Sequence, residues 1–325
     1  MTARRGQGEA VITWAVWTLL LVVVVVTYSR LPLSDLYRVS HSGLAGGIGR
    51  GVVLSNYPIS LAAIALILIA MDGLPRAAWW AAGPAIVLCA ATTGTVDPGD
   101  LDFRLRNILP ALGVVIAASL TFAAARRAGP SFVSRRPGDR ARIVVAVTVV
   151  VLSLPWLAAD LGTYLAGPVF LTSTIVTEGA NPAVKRPIGF VGRDDPGDRP
   201  ELSVETLPAV HRGHHHGIDG ALLFLTAVLL SRVRPGGRRL DTTLTAYAAL
   251  MLSYGGVNGT EDAWHEQIVK RGWVHVRIPS AQVPGLSGVT LVMLVLTAVA
   301  YLVFRYERRF EGRGGATSPS FPARL

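Results

Sequence analysis

Polar and apolar positions are segregated along this chain on the scale of whole helices. Long apolar runs, such as the unbroken stretch Leu19 to Val26, alternate with short interruptions rich in arginine, glycine and proline. Eight apolar segments are predicted, at about 11–28, 52–71, 77–95, 107–125, 143–161, 215–231, 239–255 and 286–305. Each is close to the roughly 20 residues with which a helix crosses a hydrocarbon core. Pro58, Pro84, Pro110 and Pro155 lie within these runs or near their ends. Neighbouring helices can satisfy the backbone groups that proline frees in a membrane.

Composition sharpens this into a class. Apolar residues make up 51% of the 325 and charged ones only 16%, against about 25% charged in ordinary soluble domains. The predicted fold is an all-α integral membrane protein, a polytopic bundle of about eight transmembrane helices forming a single domain over 1–325. The N-terminal run is long and has no small-residue cleavage site after it, so it is read as a retained first span. Cys89 is the only cysteine and lies inside an apolar run. A disulfide framework or thiolate metal cluster is therefore excluded. The arginine bias, 29 against two lysines, points to a GC-rich bacterial source and a plasma-membrane location.

Net charge is +10, but the basic residues cluster in short loops, as membrane topology arranges them, rather than in a nucleic-acid footprint. With the N-terminus cytoplasmic, the arginine-dense loops 125–142 and 231–239 fall inside, together with a basic tail at 306–325. The inside then carries 18 Lys/Arg and the outside 13. Both termini are expected in the cytoplasm. The long connections 29–51, 162–214 and 256–285 are then extracytoplasmic. Within the largest, 163–176 is apolar but short for a span and is expected to lie in the interface or dip back into the bundle.

Candidate chemistry gathers on that outer side. The stretch His211-Arg-Gly-His214-His215-His216 opens the sixth segment, whose apolar part, Ile218 to Leu230, covers only about 20 Å of a roughly 30 Å core. The histidines and Asp219 are therefore expected in its outer turns. On a regular helix His211, His215 and Asp219 share one face. A loop ending near His216 leaves any of the four histidines as ligands. The next external connection adds Glu261, Asp262, His265 and His275, with Glu261 and Asp262 spaced to meet His265 on a helix. Imidazoles with carboxylates form the ligand set of a divalent metal. Zinc is the first expectation, and copper, iron and nickel remain open. Glu261 or Asp262 is expected either to ligate or to act as a general base on metal-bound water.

The five residues His211 to His215 resemble the HxxHH box of membrane fatty-acid desaturases and hydroxylases. Those families carry further boxes at the cytoplasmic face, whereas this box is expected outside. The HRG triplet resembles part of the HRGxTHS motif of a family of membrane-bound metal-dependent hydrolases, without its remainder. No HExxH, GxSxG, P-loop or dinucleotide-binding glycine pattern occurs. The expected function is a metal-dependent hydrolase or transferase acting on a lipid or envelope substrate. The alternatives are a non-catalytic membrane partner or scaffold, and a transporter or metal-handling protein. Transport is disfavoured by the scarcity of charge in mid-segment.

Overall fold

The computed structural model describes residues 6–30, 43–95, 105–129, 131–136, 138–154, 157, 175–176, 206–207, 216–269, 273–276, 278 and 287–314. These are helical apart from turns, short extended links and one two-residue antiparallel pair, in which Ile175 faces Leu207 and Val176 faces Thr206. The helices are α1 (Gln7–Tyr28), α2 (Gly43–Leu54), α3 (Ser60–Met71), α4 (Trp79–Ala90), α5 (Thr92–Thr95) and α6 (Leu105–Ala128). They continue with α7 (Asp139–Leu152), α8 (His216–Leu230), α9 (Arg238–Trp264) and α10 (Gly288–Gly314). A π-helical turn, Ser55–Ile59, joins α2 to α3, and a second, His265–Val269, ends α9. Each predicted apolar segment falls at least in part on a helix, and residues 155–156 and 158–161 of the fifth lie outside the described residues. Four helical segments are long and apolar enough to cross a membrane: Gln7–Tyr28, Gly43–Met71, Leu105–Ala128 and Gly288–Arg308.

Burial sorts these segments. Helix α3, SLAAIALILIAM, is apolar around its whole circumference and buries every residue except Leu61. A helix with no polar face must be surrounded, and α1, α4, α6, α8 and α9 all pack against it. The most apolar window of Gly288–Arg308 is by contrast only 11% buried. Helix α7 leaves Ile143, Val144, Val147, Val151 and Leu152 exposed. Apolar surface turned outward on this scale suits lipid as its solvent.

Small residues set the closest approaches, as expected where apolar surface gains nothing by leaving lipid. A Cβ on Gly47 would lie 2.4 Å from Val25 O, where α2 crosses α1. One on Gly113 would lie 2.8 Å from Cys89 Sγ, where α6 crosses α4. The tightest pairing is α8 with α9. A Cβ on Gly220 would meet Gly255 O and Gly259 N at 2.7 Å, and one on Gly255 would meet Gly220 O at 2.5 Å. Polar cross-links add direction: Trp14 Nε1 donates to Thr121 Oγ1 at 3.0 Å, and Tyr247 OH donates to Leu61 O at 2.7 Å.

One end of the bundle is stitched by charge. Asp139 accepts from Arg232 at 3.0 Å and from the Arg136 backbone at 2.8 Å. Arg142 pairs with Glu307, and Arg308 with Asp241. The Glu9 carboxylate accepts the Val133 N–H at 2.7 Å, and Gln7 donates to Ile69 O at 3.0 Å. This arginine end ties α7 and α10, the two outermost helices, to the rest.

Several boundaries differ from those expected. The second segment begins at Gly43, well inside the predicted loop 29–51, because its glycines permit the close crossing with α1. The third, predicted unbroken over 77–95, is divided. A 3₁₀ turn at Arg76–Ala78 precedes α4, and α5 follows Ala91. Thr93 Oγ1 accounts for the second break by bonding Ala90 O at 2.9 Å, a local competitor to helix. The loop expected at 256–285 starts later, since α9 continues to Trp264, and the basic tail expected at 306–325 begins as the last turns of α10. The interfacial stretch 163–176 lies outside the described residues except for Ile175 and Val176.

Gly220→Val is expected to destabilise the protein by at least the roughly 1–3 kcal/mol of an overpacked core, because backbone blocks the new side chain on both sides. Gly83→Ala, where nothing lies within 4 Å, is expected to be neutral or stabilising by up to about 1 kcal/mol. Thermal unfolding of both variants in detergent measures the difference.

Candidate functional site at the histidine end

The end opposite the arginine network is built from Tyr28, the start of α2, the first π-turn, α5, the start of α6, the first turn of α8 and the last turns of α9. The glycine crossing fixes its centre. Residues 217–221 of α8 lie against residues 255–259 of α9. His216 and Asp219, in the first turn of α8, are thereby held beside the turn of α9 that carries Asn258, Glu261 and Asp262. The two segments singled out in the sequence, 211–219 and 261–275, thus adjoin in the part of each that is described.

The individual residues fare differently. His211, His214 and His215 lie outside the described residues, and of His216 only the backbone is described. Asp219 is half-buried, while Glu261 and Asp262 are only 7% and 4% exposed. Each of the three acids has an interacting partner. Among the described residues no group of three or more His, Cys, Asp or Glu side chains is placed to hold a metal ion.

His265 is the most fully specified of the candidates. Its Nδ1 lies 3.0 Å from Glu261 Oε1, the i, i+4 pairing expected for a helix. Its Nε2 accepts the backbone N–H of Ile278 at 3.2 Å. A neutral ring protonated on Nδ1 satisfies both contacts. Neither nitrogen then has a lone pair to offer a metal in this arrangement. One turn position earlier, Trp264 Nε1 donates to Val276 O at 2.8 Å. His265 and Trp264 together clamp the extended segment 273–278 to the end of α9. His275, within that segment, is exposed.

A second polar group was not legible as a site in the sequence. Asn56 and Asn107 are fully buried, and Asn56 Nδ2 donates to Asn107 O. Thr92 is 2% exposed and Asn258 3%. The Tyr57 and Tyr254 rings sit 6.3 Å apart and connect the π-turn to α9. Arg50 is 2% exposed, with its guanidinium 5.3 Å above the Tyr28 ring. The available signal was SNYP, three polar side chains and a proline inside an otherwise apolar run.

No family model, curated protein or solved structure matches the chain. The chemistry of this end rests on its own residues.

His265→Ala is expected to speed hydrogen exchange at the Ile278 amide by roughly tenfold, the equivalent of a hydrogen bond worth about 1–1.5 kcal/mol. Exchange in the middle of α3 is expected to stay unchanged. Mass-spectrometric exchange on the detergent-solubilised protein reports both.

Proposed function

We propose that this chain is a multi-pass protein of a bacterial plasma membrane. All eight apolar segments cross in this reading, both termini are cytoplasmic, and the histidine end faces outward. We further propose that this outer end holds a divalent metal, zinc first, and acts as a hydrolase or transferase on a lipid or envelope substrate.

The observation that carries the reading is the backbone contact of Gly220 with Gly255 and Gly259. It sets the helix turn that follows the histidine tract beside two buried carboxylates at the end of α9. The ligands would come from His211, His214, His215 and His216, joined by Asp219 or Asp262. Glu261 or Asp262 would ligate or take a proton from metal-bound water. His265 drops from the ligand set to a positioning role, since it holds Glu261 and the segment 273–278.

Topology and metal are tested separately. A green fluorescent protein fused after Leu325 is expected to fluoresce, and alkaline phosphatase fused there to be inactive. Phosphatase inserted near Pro196 is expected to be active. Protein purified without a polyhistidine tag is expected to carry about one zinc per chain, as a single catalytic site would. His214→Ala/His215→Ala is expected to lose it. Absence of stoichiometric metal from the wild type would leave the outer end as a docking surface for a protein partner.

A further inference from the structure

The segment Gly43–Met71 widens into a π-turn, Ser55–Ile59, within its outer half. From Met71 back to Asn56 is 15 residues, about 22 Å at 1.5 Å per residue, which places the π-turn inside a hydrocarbon core of about 30 Å. Single π-turns inside longer helices recur at functional positions. This one contains Pro58, which has no N–H, so a carbonyl one turn back loses its helical donor: Leu54 in α register, Val53 in π register.

Three side-chain atoms join it. Asn56 Oδ1, Tyr57 OH and Thr92 Oγ1 are buried with no hydrogen-bond partner among the described residues. The Asn56 amide is oriented by its bond to Asn107 O, so its oxygen is the half left over. Helix α5, which carries Thr92, packs against the π-turn, as do α6 and α8. Leaving such a group unmatched costs about 1–3 kcal/mol each. All three atoms are oxygens, and all are neutral.

We propose that the Ser55–Ile59 turn holds a monovalent alkali cation, sodium in class, through Asn56 Oδ1, Tyr57 OH, Thr92 Oγ1 and the carbonyl freed by Pro58. Oxygen ligands select hard cations. The desolvation cost grows with the square of the charge, so a donor set lacking a carboxylate favours a single charge over a double one. Full burial of Asn56 suits one ion better than a headgroup. Among the described residues the charges at this end are Asp219, Glu261 and Asp262, which favour a cation, and Arg50 and Arg106, which oppose it. Both arginines have interacting partners of their own, and Arg50 stands six residues from Asn56, about 9 Å along the helix. The proposal rests on the membrane-spanning reading but not on the outer metal centre.

The test is thermal unfolding of the purified full-length protein in detergent, in sodium chloride against choline chloride at matched ionic strength. Sodium is expected to raise the unfolding temperature, and a chelator of divalent ions to leave that rise intact. Thr92→Val, which keeps the shape of the side chain, is expected to weaken the apparent sodium affinity by about tenfold. Asn56→Ala should weaken it as much, and Asn56→Asp should restore it. Equal unfolding temperatures in the two salts would overturn the proposal and assign the oxygens to water. So would a sodium response undiminished in both Thr92→Val and Asn56→Ala. A response abolished by the chelator would overturn it too, by tracing the effect to a divalent ion.

Discussion

The contact on which the histidine end depends is backbone against backbone. Where α8 and α9 cross, Gly220 and Gly255 leave no room for a side chain, and the backbone of Gly259 lies against Gly220. In lipid this is the favourable way to join helices, because apolar side chains gain no hydrophobic free energy from pairing and only close packing discriminates. The crossing fixes the distance between the helices. It also fixes which residues meet beyond it, namely the first turn of α8 and the Asn258 to Asp262 turn of α9. Helix α8 is short, 15 residues, so the crossing lies close to its first turn.

The two ends of the bundle solve different problems. At the arginine end, charges are paired in a network of Asp139, Arg142, Arg232, Glu307, Arg308 and Asp241 that anchors the peripheral helices. Isolated pairs of this kind contribute little, but here Asp139, Arg142, Arg232 and Glu307 share partners. At the histidine end, charges and amides are buried: Arg50, Asn56, Asn107, Glu261 and Asp262. Polar groups are expensive in such positions, and the arginine end buries Gln7, Glu9 and Asp139 as well.

The pairing of His265 with Glu261 shows how a good motif can resolve into structure. Its i, i+4 spacing was sufficient to predict the contact. What Nε2 would do was not contained in the spacing, because Ile278 reaches it through a return of the chain. With both nitrogens engaged, the residue ties Ile278 to the end of α9. The π-turn at Ser55–Ile59 is the converse case. SNYP reads locally as a polar blemish in a span, and only burial of Asn56 against α6 gives it consequence.

The sequence by itself determined where the helices lie, since an apolar run long enough to cross lipid has no other way to satisfy its backbone. It determined which segments carry the histidines, because residue type is fixed by position along the chain. Helix order in space was decided by tertiary structure alone. The central place of α3 and the outward place of α10 both depend on which small residues allow close approach, and the helices are similarly apolar in composition. The partners of buried polar atoms were decided there too, because a hydrogen bond between Asn56 and Asn107, 51 residues apart, leaves no periodic trace for a sequence to carry.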